Sequence, residues 1–265
     1  MPSLPVGDID IRYELGGSGP RLLYISGTGG DLRMKPGVFD GPLPSRFEVL
    51  AYDQRGLGRT SKPGGPYSMA GYADDAAGLM QALGWDEALV IGVSFGGMVA
   101  QELVLRHPRR VKKLVLACTS PGGAGGASFP FHEIQHLTGE ARAKHLMPIM
   151  DVRHDAGWAE AHPDLYAEMV AFGAQAPFAE EPGHAEGARL QLEARAKHDT
   201  WERLDQIACP VLIAAGLHDG IAPPQTQRRL ADRIPGAELE FFDGGHMFML
   251  QDPGAVPAIM DFLER

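Results

Sequence analysis

A chain of 265 residues supports one sizeable core but not two large independent domains. Hydrophobic residues make up 44% and charged residues 22%, the mix of a folded globular protein, with a formal net charge of −10. Neutralising phosphates requires a basic face, so this balance argues against a nucleic-acid partner and against an anionic membrane surface.

Met1-Pro2-Ser3-Leu4-Pro5 has neither a basic start nor a following apolar stretch, so no secretory leader is expected. No run approaches the roughly 18 apolar residues that a bilayer span requires. Residues 8–15 read as an opening antiparallel strand, because Ile9, Ile11 and Tyr13 alternate with polar neighbours. The apolar runs 22–26, 49–53, 88–93 and 113–117 read as strands buried on both faces. Helical patterns fall between them at 68–83 and 96–107, the second ended by Pro108.

This rhythm breaks at Pro121-Gly-Gly-Ala-Gly-Gly126, a glycine hinge followed by helical character up to Leu204 without a convincing strand. Alternation resumes with a strand at 211–216, a helix at 225–233, a strand at 237–242 and a last helix at 255–263. The pattern predicts one mostly parallel α/β core, residues 1–121 and 205–265, interrupted by a helical insertion over 122–204. That insertion is expected to cap the C-terminal edge of the sheet, where open α/β sheets bind ligands. Cys118 and Cys209 both sit in apolar runs, so two buried thiols and a reducing cytoplasm are expected rather than a disulfide.

Gly92-Val93-Ser94-Phe95-Gly96-Gly97 joins an apolar strand to a helix. A serine on so sharp a turn adopts a strained backbone, and its neighbours two residues away must lack side chains, as Gly92 and Gly96 do. Ser94 is therefore the expected nucleophile, exposed at a helix N-terminus whose partial positive charge faces the reacting oxygen.

A serine hydroxyl needs a base, and the base needs a carboxylate to fix its tautomer. Asp219 lies just past the 211–216 strand and His246 just past the 237–242 strand, in a loop containing Gly244 and Gly245. They are the expected acid and base. Asp243 is a rival acid, but it is too near His246 in sequence to reach around the imidazole easily. The glycine turn Ser26-Gly27-Thr28-Gly29-Gly30 ends the first buried strand, and the backbone N–H groups of Thr28 and Phe95 are the expected oxyanion donors.

Together these residues resemble the α/β-hydrolase fold family over nearly the whole chain. Tyr52-Asp53-Gln54-Arg55-Gly56-Leu57-Gly58 is similar to that family's D-x-R-G-x-G segment, in which Asp53 and Arg55 would be structural. Gly84-Trp85 and Pro108-Arg109-Arg110-Val111 are most similar to 3-oxoadipate enol-lactonases, small carboxylesterases and cofactor-free haloperoxidases. The resemblance implies an eight-stranded, mostly parallel sheet flanked by helices, a small-molecule ester or lactone substrate, and no cofactor. Ser26-Gly27 stands where relatives often have His-Gly. Proline iminopeptidases share the Asp-Gln-Arg-Gly segment but not this elbow or oxyanion turn. Haloalkane dehalogenases and epoxide hydrolases place an aspartate where this chain has Ser94.

Some features remain open. C–C bond hydrolysis or amide hydrolysis would use the same triad, and a non-enzymatic ligand-binding relative would use none of it. His132-Glu133-Ile134-Gln135-His136 matches H-E-x-x-H, which on an α-helix places two histidines on one face for zinc, with the glutamate as base. A metzincin's third ligand would fall on Arg142, which cannot serve, so no metal is expected. Phe129, Phe131, Met147, Trp158 and Phe172 are candidates for lining a substrate pocket or for the core of the cap. Arg189, Arg195 and Lys197 could meet a substrate carboxylate, although a solvated helix face accounts for them more simply.

Overall fold

The computed structural model describes residues 2–265. Its apolar runs pair into one eight-stranded sheet of order β1-β2-β4-β3-β5-β6-β7-β8. The first strands are β1 (Ser3–Val6), β2 (Ile9–Gly16), β3 (Arg21–Ile25) and β4 (Glu48–Tyr52). β1 pairs antiparallel with β2, and β2 antiparallel with β4. The β3–β4 pair and every later pair are parallel. Strand β1 is not expected from the sequence, because Pro5 interrupts its pattern; it lies at the sheet's edge, where proline is tolerated.

Next come α1 (Met69–Ala82), β5 (Ala88–Val93), α2 (Phe95–Arg106) and β6 (Val111–Ala117). Helix α1 begins where the Ser68 hydroxyl accepts the Gly71 N–H at 3.0 Å, an ordinary N-cap. The long segment before the next strand contains α3 (Gly139–Met150), α4 (Ala156–Ala161), α5 (Pro163–Gly173) and α6 (His184–Ala196). The chain closes with β7 (Val211–Gly216), α7 (Pro224–Arg233), β8 (Glu238–Phe242), α8 (Phe248–Gln251) and α9 (Ala255–Glu264).

Alternate residues of the parallel strands feed two cores, one on each face of the sheet. Leu23, Val90, Leu114 and Ile213 join Tyr72, Phe95 and Leu103 of α1 and α2 on one face. Leu22, Ile91, Val115 and Leu212 join Ile259, Met260 and Phe262 of α9 on the other. With both faces covered, the polar chemistry is left to the strand ends. Among the described residues no helix is long and apolar enough to cross a membrane.

Candidate active site

Strand β5 turns into α2 at Ser94, whose backbone adopts φ 54° and ψ −114°, a region that L-residues other than glycine rarely visit. The surrounding glycines are required by contact. A Cβ on Gly96 would overlap the Ile25 carbonyl, one on Gly92 would stand 2.7 Å from Ala100 Cβ, and one on Gly97 2.5 Å from Thr119 Cβ. The strained turn is held by neighbours: the Ser94 N–H donates to the Ala117 carbonyl at 2.8 Å. The Thr119 hydroxyl donates to the Ser94 carbonyl at 2.7 Å.

The parallel order of β5, β6, β7 and β8 places the loops after all four strands at one rim. There Ser94 Oγ lies 2.9 Å from His246 Nε2, and His246 Nδ1 lies 2.8 Å from Asp219 Oδ2. All three residues are buried. Asp219 Oδ1 accepts the N–H groups of Ile221 at 2.7 Å and Ala222 at 3.0 Å. The carboxylate is thus oriented at both oxygens. An Nδ1–H donated to Asp219 leaves the Nε2 lone pair to accept the serine proton. Asp243 stands apart, exposed, bonded to Arg153 at 2.7 Å and 3.3 Å from His218.

The turn of residues 26–30 lies against the serine, since a Cβ on Gly27 would stand 3.5 Å from Ser94 Cβ. Two of its amides are already used: Gly29 N–H donates to Gln191 Oε1 at 2.9 Å and Gly30 N–H to the Gly27 carbonyl at 3.2 Å. The Thr28 and Phe95 amides have no acceptor among the described residues. Asp53 braces the segment beyond the turn by accepting the Leu32 and Arg59 amides at 2.7 and 2.9 Å. Arg55 bonds Asp75 and Asp8. Gln54 Nε2 donates to the Ser26 carbonyl at 2.8 Å.

The C-terminal end of α3 holds the other two loops. The His246 N–H donates to the Met150 carbonyl at 2.6 Å and the Gly220 N–H to the Ile149 carbonyl at 3.0 Å. Gly245 is needed for this approach, because its Cβ would overlap the Met150 carbonyl. The glycine therefore fixes the histidine loop by admitting a neighbouring backbone. Buried Asp151 joins Arg153 and Gln251, and Gln251 Oε1 accepts the Gly245 N–H at 2.8 Å. Burial opposes the charge on Asp151, but the Arg153 guanidinium and amide, with Gln251, hold its carboxyl at about 2.

Cys118 also lies at the rim, with φ 42°. Burial, and secondarily the Asp219 charge, push its thiol well above the usual range, so it stays protonated. Both cysteines are free, Cys118 buried and Cys209 half-buried.

The other sequence candidates separate. Phe129 and Phe131 stack edge to face at 5.2 Å and pack with Ile221, two residues beyond Asp219. Met147 instead packs with Ala143 and Val170 of the inserted helices. Trp158 lies between the rings of His154 and His162 at 4.3 and 5.0 Å, and Phe172 is 64% exposed. The His132–His136 motif falls on a 3₁₀ turn, Phe131–Ile134, and the bend after it. It therefore lacks the α-helical face that would align its histidines. Arg189 and Lys197 are solvent-facing, Arg189 bonded to Glu186 and Glu193. Arg195 departs from the expected solvated face: it is 5% exposed, drawn inward on the side of α6 that carries Gln191. Gln191 itself is not expected from the sequence. Its signal is a polar residue between two leucines, in step with His184, Gly187, Arg195 and His198 at intervals of three and four.

A strained serine, an imidazole and a carboxylate on an eight-stranded α/β sheet define a class, and the family comparison agrees: residues 20–253 match the model for the alpha/beta hydrolase fold. The chain belongs to that family of hydrolases. It is 32% identical to a putative carbamate hydrolase RutD from Caulobacter sp. (strain K31), over 97% of each chain. It is also 32% identical to a poly(3-hydroxyalkanoate) depolymerase from Ectopseudomonas oleovorans, over 92% of this chain and 84% of that one. Among solved structures, the enol-lactonase from Burkholderia xenovorans LB400 superposes over 100% of both chains with a TM-score of 0.81 and 27% identity.

Proposed function

We propose that this chain hydrolyses a carboxylic ester or lactone through an acyl-enzyme. The observation that carries the reading is the single imidazole bridging Ser94 Oγ at 2.9 Å and Asp219 Oδ2 at 2.8 Å. His246 takes the hydroxyl proton as Ser94 attacks the carbonyl carbon, and Asp219 stabilises the imidazolium. The Thr28 and Phe95 amides receive the tetrahedral oxyanion, each donor contributing about 3 kcal/mol. Collapse breaks the bond to the leaving alkoxide, which takes the proton from His246. A water then gives a proton to the same nitrogen and attacks the acyl carbon; collapse breaks the bond to Ser94 Oγ, which takes that proton back from His246 as the acid leaves. No step requires a metal or cofactor.

Residues 122–204 act as a cap over this rim, with Phe129 and Phe131 on the substrate side. Two free thiols suit a reducing compartment, which supports a cytoplasmic location. The depolymerase and lactonase names of relatives favour an ester or lactone, and the carbamate hydrolase names keep a carbamate carbonyl in view.

A panel of p-nitrophenyl esters, lactones, carbamates and vinylogous diketones tests the reading. Turnover of esters or lactones, lost in Ser94→Ala, is expected; turnover of carbamates alone or of the diketones alone would replace it.

A further inference from the structure

The turn after β3 has two ways to close. The Gly30 N–H donates to the Gly27 carbonyl at 3.2 Å, a bond that type I and type II turns share. Gly29 has φ 73° and Thr28 has no positive φ, which is the type II form. Glycine does not select that form by itself, because it adopts negative φ about as readily. A Cβ on Gly29 would meet nothing within 4 Å, so crowding does not select it either. Thr28 Oγ1 is buried without a partner and adds no bond of its own.

What separates the two forms is the plane of the Thr28–Gly29 peptide, which is turned over between them. The Gly29 N–H of that peptide donates to Gln191 Oε1 at 2.9 Å. Gln191 is fully buried, and its Nε2 has no partner. A buried amide with half its capacity unused is costly, so packing alone does not account for the residue.

Helix α6 is fixed where it presents this oxygen. Gly187 lies one turn earlier on the same face, and a Cβ there would overlap the Gly56 carbonyl. Leu190 and Ala194 belong to the core that α1 and α2 cover. Gln54, two residues before Gly56, donates to the Ser26 carbonyl at 2.8 Å. One brace, residues 54–56, therefore positions both the start of the turn and the helix that carries Gln191.

We propose that Gln191 is a positioning residue for the oxyanion donor: by accepting the Gly29 N–H it holds the 28–29 peptide in its type II orientation, and with it the Thr28 amide. This rests on the Ser94 hydrolase reading. Rotation of that plane changes ψ of Thr28 and reverses a peptide dipole beside the developing charge.

Gln191→Met keeps the length of the side chain and removes the acceptor. With a p-nitrophenyl ester that the wild type turns over, kcat is expected to fall about ten- to hundredfold while KM stays within about threefold. An aryl trifluoromethyl ketone adds Ser94 Oγ to its carbonyl carbon, passes the hydroxyl proton to His246 and leaves an oxyanion. Its inhibition should weaken by a factor similar to the loss in kcat/KM. The pH profile of kcat/KM should keep its shape, because other segments hold His246 and Asp219. Tm should hold or rise as the half-paired amide is removed. An unchanged kcat, a loss confined to KM or a displaced pH profile overturns the proposal while leaving the hydrolase reading intact. Absence of Ser94-dependent turnover in the wild type overturns the hydrolase reading first. Should Gln191→Met not fold, Gln191→Asn decides, because its oxygen stops about 1.5 Å short of the Gly29 N–H. A loss in kcat of about tenfold or more then supports the role, and wild-type kcat contradicts it.

Discussion

The rim of the sheet and the helical segment between β6 and β7 meet at the same site but are built by different rules. At the rim, backbone packs on backbone: Cβ atoms on Gly96 and Gly245 would overlap main-chain carbonyls, of Ile25 and Met150 respectively. In the inserted segment, side chains decide the arrangement, and α5 leaves Phe172 64% exposed. The segment meets the rim loops through contacts that include Gln191 to Gly29, the carbonyls of Ile149 and Met150 to the amides of Gly220 and His246, Phe129 to Ile221, and Asp151 to Gln251. A rim constrained by backbone tolerates almost no change, whereas a segment arranged by side chains can vary more freely.

The largest expected effect lies at the rim. Asp219→Asn should lower kcat/KM for a good ester by about 10⁴-fold, because the amide favours the wrong imidazole tautomer. Asparagine retains an oxygen for the Ile221 and Ala222 amides, so the melting temperature should move little. A loss below tenfold in the steady-state assay would place the acid elsewhere.

Next comes the contrast in packing. Gly96→Ala forces a methyl group into the Ile25 carbonyl and should cost about 3 kcal/mol or more in denaturant unfolding. Phe172→Ser, on the exposed side of α5, should stay within about 0.5 kcal/mol. Equal costs for the two would erase the distinction between the regions.

The smallest effect is titration where α6 ends. Burial holds His198 at about 4, below the usual imidazole value of 6.5, with the Ser120 carbonyl 3.2 Å from its Nε2. Between these values the unfolded chain binds the additional proton. This group's stabilisation is therefore complete above about pH 6.5 and is lost as pH falls towards 4. Acidifying from pH 7 to 4.5 should cost the wild type about 2 kcal/mol more than His198→Gln, measured by chemical denaturation at both pH values. The same loss in both proteins would remove His198 from the account.

What was legible in the sequence follows the same division. Strands 88–93 and 211–216 were readable to the residue, because continuous apolar runs that end at the Ser94 turn and at Gly216 leave few alternatives. The residues that converge on Ser94 could be placed because chain order and strand ends are local signals. Strand β1 was hidden by Pro5, whose tolerance depends on lying at an edge. Gln191 was hidden because its partner, Gly29, is 162 residues away. Arg195 looked like one more charge on a polar helix, since only tertiary packing reveals which side of α6 faces inward. His132 and His136 matched a pattern whose meaning depends on an α-helix, and Pro130 opens a 3₁₀ turn there instead.

The central claim is that Ser94 is activated by His246. Mass-spectrometric mapping of a fluorophosphonate probe tests it most directly. A single adduct on the tryptic peptide containing Ser94 is expected, formed much more slowly in His246→Ala. No adduct, or an adduct on another residue while ester turnover continues, would contradict the account.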